Sequence, residues 1–200
     1  MTQDIPVLPA TRPAAGGFAP GLQAPRWHPA RQGRQGDWPV ALRPWLLDQG
    51  SLTAKLMVFS QGEFRVRVLR QGLARPDVSE RRCLGVGPGR WVLVREVILM
   101  GKGESWVFAR SLLPLSSLKG RLRQLRQLNT RPLGGFLFRQ PDLEREPMEI
   151  SRLKPGQRYV PPSLQRGETL WGRRSVFRLE GRPLLVSEVF LPAFVERVSL

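Results

Sequence analysis

Cysteine and histidine are nearly missing from this 200-residue chain, which has one of each, Cys83 and His28. A lone cysteine excludes an internal disulfide, and with a single histidine it excludes the Cys/His ligand sets of structural zinc sites. His28 lies in "PRWHPARQG", among prolines and arginines, so a triad needing a folded histidine is not expected. Acidic residues are scarce beside basic ones, 16 against 32, and only four of the 32 are lysine; the formal net charge is +16. Such a balance attracts nucleic acid, acidic lipid or a polycarboxylate without choosing among them. No apolar run approaches the ~18 residues of a membrane-spanning helix. The opening "MTQDIPVLPATRPAAGG" has neither a basic n-region nor a continuous apolar h-region. A reducing, cytoplasmic location is the expectation.

What is present is a core. Hydrophobic residues make up 41% of the chain, enough for one domain. Proline and glycine are concentrated in the first 40 residues, and residues 1–36 show no sustained period; a disordered tail is expected there, with Trp27 available to dock. The folded domain is expected over 37–200. "DWPVALRPWLLDQGSLTAKLMVFSQ" predicts two short helices split at Gln49–Gly50, with Ser51 capping the second. "GEFRVRVLRQG" alternates as a half-exposed strand. Residues 73–89 read as a long connection whose "GVGPG" matches a phosphate loop in composition only. "RWVLVREVILMGKGESWVFARSLLPL" predicts strands over 91–100 and 105–113 joined in a hairpin. Leu118, Leu122, Leu125 and Leu128 form one helical stripe, with Arg121, Arg123 and Arg126 largely off it. Residues 141–169 are mixed, and "TLWGRRSVFRLEGRPLLVSEVFLPA" predicts a second hairpin turning near Glu180–Gly181. Together these give an α+β class, an antiparallel β-sheet with flanking helices.

Several charges sit on strand faces that ought to be apolar. Side chains alternate along a strand, so Glu188 points with Val186 and Phe190. Arg95 points with Trp91, Leu93, Val97 and Leu99, and Arg110 with Trp106, Phe108 and Leu112. Glu96 interrupts the row of Val92, Val94, Ile98 and Met100, so the period does not say which of Arg95 and Glu96 faces inward. An isolated buried charge costs several kcal/mol or more. Two explanations stay open: a structural ion pair, such as Arg95 or Arg110 with Glu188, or a pocket whose arginines await an anion.

Three blocks, "WVLVREVILMGKGESWVFARSLLPLSSL", "TRPLGGFLF" and "LWGRRSVFRLEGRPLLVSEVFLPA", resemble bacterial chorismate lyases in content, order and spacing. The resemblance spans roughly 37–194. It implies an antiparallel sheet with flanking helices that enclose an internal ligand site. It also implies a carbon–oxygen lyase that converts chorismate to 4-hydroxybenzoate and pyruvate, the entry to the ubiquinone head group, with no metal or organic cofactor. Position by position, it gives Arg95 to the ring carboxylate and Glu188 to the neighbourhood of the ring hydroxyl. The backbone of Leu133 goes to the carboxylate end, and Leu52 falls where the family makes a backbone contact. Arg110 matches another family arginine and is assigned the enolpyruvyl carboxylate.

Two rivals are weighed beside this. Effector domains of some transcription regulators are similar in fold to chorismate lyase, so a small-anion sensor that consumes nothing is the alternative; no helix-turn-helix precedes residue 37. The run from Lys119 to Arg131 has five basic and no acidic residues, yet no interleaved aromatics for base stacking, so nucleic acid is not expected as a partner. A weak attraction to an anionic membrane and a monomeric state complete the expectations.

Overall fold

The computed structural model describes residues 24–30 and 38–200. The disorder expected for 1–23 and 31–36 lies outside the described residues. Residues 24–30, also assigned to the tail, take part in the domain. His28–Pro29 form a short strand, β1, and Trp27 packs edge-on to Tyr159 at 5.9 Å under the Arg174 guanidinium.

Seven further strands follow: β2 (Phe64–Ala74), β3 (Val92–Gly101), β4 (Glu104–Pro114), β5 (Glu144–Arg145), β6 (Glu149–Leu153), β7 (Leu170–Leu179) and β8 (Arg182–Phe190). They make one antiparallel sheet in the order β1-β6-β7-β8-β4-β3-β2, with β5 also on β7. Both expected hairpins are there. Their two-residue turns, Lys102-Gly103 and Glu180-Gly181, have positive φ at both positions, the geometry that suits the twist of the flanking strands. The outer edge, β2, turns Arg65, Arg67 and Arg70 outward, charges that discourage edge-to-edge pairing.

The helices are α1 (Arg43–Leu46), α2 (Leu52–Phe59), α3 (Val78–Leu84), α4 (Leu133–Leu137) and α5 (Pro192–Val198). Ser51 caps α2, its Oγ accepting from the Ala54 amide. α3 corrects the reading of 73–89 as a plain connection. Asp77 and Glu80 form a reciprocal capping box, and Gly85 closes the helix at φ 63°. The leucine stripe is buried as expected but wound as a 3-10 helix over Gly120–Gln127. Leu122, Leu125 and Leu128 recur every three residues, which aligns them at three residues per turn.

Both faces of the sheet are covered. On the first, an aromatic cluster of Trp45, Trp106, Phe190 and Phe194 packs α1, α2 and α5 at one end. A leucine cluster with Phe177 packs the 3-10 segment and α4 at the other. The second face packs α3 and the loop carrying Tyr159 and Val160. Among the described residues no helix is long and apolar enough to cross a membrane.

Candidate functional site

Between the two apolar clusters of the first face lies a band of polar side chains. In register across β3, β4, β8 and β7 run Arg95, Ser111, Val186 and Ser175; one row along run Val97, Ala109, Glu188 and Arg173. Arg95, Ser111, Arg173 and Ser175 are almost fully buried. Val186 and Glu188 are only half-buried, although β8 sits mid-sheet beneath the helical cover. Accessible surface at such a position means that the cover stands off the sheet there.

Arg95 is 3% exposed. Its Nη2 donates to the carbonyls of Asn129 (2.7 Å) and Arg131 (3.1 Å), in the loop before α4. Its Nε is buried without an acceptor, and among the described residues no carboxylate reaches it. Burial alone pulls its pKa down to about 10. A buried cation with a spare donor suits an incoming carboxylate.

Glu188 is differently placed. Its Oε2 accepts from Arg173 Nε at 2.7 Å, and Arg173 Nη1 donates to the carbonyls of Trp45 and Asp48 at 2.7 and 2.8 Å. α1 and the loop after it thereby fix the arginine, and the arginine fixes the carboxylate. Arg95 and Glu188 are two strands and one row apart, roughly 12 Å between Cα atoms at ordinary sheet spacings. Ala109, on the strand between theirs and in the row of Glu188, is the smallest side chain on this part of the floor.

Leu52 and Leu133 are the first residues of α2 and α4, positions whose amides have no partner within the helix. The two helix starts abut: a Cβ on Gly134 would lie 3.0 Å from Thr53 Oγ1 and 3.2 Å from Ser51 Oγ. Since Arg131 O accepts from Arg95, the start of α4 is held over the same band.

Arg95, Glu188, Leu52 and Leu133 thus come together on one face. Arg110 does not join them. It pairs across the sheet with Glu96 and Ser187, on the second face, where its guanidinium meets Glu80 at 2.8 Å and also Glu96. These carboxylates hold its pKa above the ordinary value despite burial. The physical reason is parity: 110 and 188 fall in different rows of alternation once the strands are in register. Glu96 faces that side too, so the adjacent Arg95 and Glu96 serve opposite faces. The ion pair foreseen for Glu188 exists, but its partner is Arg173, which sequence reasoning missed. It also missed Arg145 and the two serines.

The basic run 119–131 stands largely outward. Arg121 is taken by Asp142 and Glu180, while Arg123 and Arg126 face solvent beside a shallow depression.

Comparison with known proteins places the chain among others of one family. The model of the family described as chorismate lyase matches residues 22–200. A probable chorismate pyruvate-lyase of Azoarcus sp. (strain BH72) is 44% identical over 168 residues, covering 77% of this chain and 85% of that protein. One from Thiobacillus denitrificans is 42% identical over 161 residues, covering 78% and 86%. Among solved structures, PhnF from Mycobacterium smegmatis aligns with a TM-score of 0.52 at 17% identity, over 74% of this chain and 66% of that one. That likeness shows the fold alone.

Proposed function

Because the chain belongs to the chorismate lyase family, we propose that it converts chorismate to 4-hydroxybenzoate and pyruvate, supplying the ubiquinone head group. The observation that carries this reading is the buried Arg95, without a carboxylate partner, facing the same enclosed band as Glu188.

In this reading Arg95 holds the ring carboxylate, and the amides of Leu133 and Leu52 add donors at helix starts, where partial positive charge favours an anion. Such an anion restores the charge balance that burial denies Arg95 alone. The ring lies over Ala109. The hydroxyl end meets Glu188 through the oxygen that Arg173 does not take. The reaction breaks the enolpyruvyl C–O bond and removes a neighbouring ring proton, and the ring becomes aromatic. A strongly downhill step asks the protein chiefly for orientation and for stabilisation of charge on the departing enolpyruvate. Glu188 orients the hydroxyl and assists proton transfer. Cytoplasmic residence and a monomeric state belong to the same proposal. A helix-covered site flanked by two apolar clusters retains an aromatic product, so product release is expected to limit turnover and a burst to precede the steady state.

The test is to mix purified protein with chorismate, without added metal, and follow both products by chromatography. Equimolar 4-hydroxybenzoate and pyruvate, lost in Arg95→Ala, is the expected result. Binding without turnover by a folded protein would instead make it a small-anion sensor.

A further inference from the structure

The first face carries more positive charge than one carboxylate ligand can balance. Three guanidiniums converge on it: Arg95, Arg173 and Arg145. Only Arg173 has a carboxylate, Glu188. Arg145 lies opposite Phe177 on β7, hence on this same face, with its guanidinium 5.1 Å from the Phe177 ring. Its Nε donates to Ser175 Oγ at 3.0 Å, and its Nη1 to the carbonyl of Gln49 at 2.8 Å. These acceptors, and the Asp48 carbonyl that Nη1 also reaches at 3.4 Å, are neutral, and among the described residues no carboxylate lies within ion-pair distance. Its Nη2 is left over, so the fork retains donors.

The surroundings fix where that fork stands. Ser175, which Arg145 grips, is in register with Arg95 through Ser111 and Val186. The two arginines therefore bracket the band, with the Cα atoms of Arg95 and Ser175 about 14 Å apart at ordinary strand spacings. Arg145 is close enough to Arg173, Glu188 and Asp48 to feel their charges. Counting Arg95, Arg145, Arg173 and Glu188, with the neighbouring Asp48 balanced by its ion pair to Lys55, the band holds a net charge of two positive. A ligand with two separated carboxylates neutralises it; a monocarboxylate leaves one cation bare.

We propose that Arg145 is the second carboxylate-binding residue of this site, taking the enolpyruvyl carboxylate while Arg95 takes the ring carboxylate. This rests on the lyase reading above, since it names which end of that substrate Arg145 meets. The monocarboxylate product keeps the Arg95 contact and has nothing for Arg145, so the two arginines divide the ligands between them.

That division gives a test in which a structural role and a binding role part company. Turnover of chorismate and displacement by 4-hydroxybenzoate are measured for the wild type, Arg95→Gln, Arg145→Gln and Arg145→Lys. The expected result is that Arg145→Gln lowers kcat/KM for chorismate by roughly 30-fold or more, the loss of a charged, two-point contact, and leaves the 4-hydroxybenzoate affinity within about threefold. Arg145→Lys, which keeps the charge and loses the fork, should recover part of the chorismate loss. Arg95→Gln should lose both ligands. Equal loss of both ligands in Arg145→Gln, or no loss of either, overturns the assignment. If Arg145→Gln does not fold, Arg145→Lys decides: a selective loss for chorismate supports the assignment, and equal losses overturn it. A selective chorismate loss in Arg110→Gln, with Arg145→Gln at wild-type activity, places the second contact on Arg110 instead. A wild-type protein that neither turns over chorismate nor binds the product overturns the lyase reading itself, whatever the variants do.

Discussion

Arg173 and Glu188 face each other across β7 and β8, joined at 2.7 Å, with the arginine 1% exposed and tied to one carbonyl in α1 and one just beyond it. The pair is asymmetric, because only the carboxylate has surface left for a ligand. Arg173→Met should strand Glu188 in a partly buried place and cost about 3–5 kcal/mol. Urea denaturation checks this. Glu188→Gln should cost less, because Arg173 keeps its carbonyl bonds, while turnover falls; full turnover by Glu188→Gln would refute a role in proton transfer.

The pH dependence follows from the two guanidiniums that burial has weakened. Arg95 and Arg145 both stand at about 10, Arg145 also through the neighbouring Arg173. In the free protein their protons are needed to meet carboxylates, so kcat/KM should hold to pH 9 and fall above about 10. A bound anion raises both values, so kcat should hold to higher pH than kcat/KM. Folding runs the other way. The unfolded arginines stay protonated to higher pH, so the unfolded state binds more protons above about 10, and these groups add stability as pH rises from there. Rate profiles beside thermal melts at each pH separate the two effects.

Ala109 is the floor between Arg95 and Glu188. Ala109→Leu should fill the space for the ring and abolish the thermal shift given by 4-hydroxybenzoate. Overpacking costs about 1–3 kcal/mol at most sites, and the space below the cover should keep this one at the low end.

Gly101 has no such room, because a Cβ there would collide with the fully buried Trp106 ring. Gly101→Ala should lower the denaturation midpoint markedly, by about 2–3 kcal/mol in stability. Asp77→Ala, which removes the cap of α3, should cost about 1 kcal/mol.

The hairpins were legible because tight turns and apolar alternation agree. More was legible than was read. Arg173 and Glu188 are each the seventh residue out from the Glu180-Gly181 turn, so a two-residue hairpin already sets them opposite one another. Asp77, Glu80 and Gly85 likewise spell out α3, but "VSERRCL" has too few apolar residues to show a helical period. The facing of Arg95 and Glu96 was not legible, because alternation distinguishes inside from outside only when one face meets water. Arg145 gave no signal: its strand is two residues long, and its place on the face comes from pairing with Phe177, 32 positions away.

The bonds from Arg95 to the carbonyls of Asn129 and Arg131 bear on timing as well as affinity. The guanidinium whose Nε awaits a carboxylate also bolts down the loop above it through Nη2, so loop and ligand site are mechanically coupled. Arrival of a ligand then has to wait for the bolt to slip. The observed association rate of 4-hydroxybenzoate in stopped flow should level off at high concentration, at the frequency with which the loop unlatches.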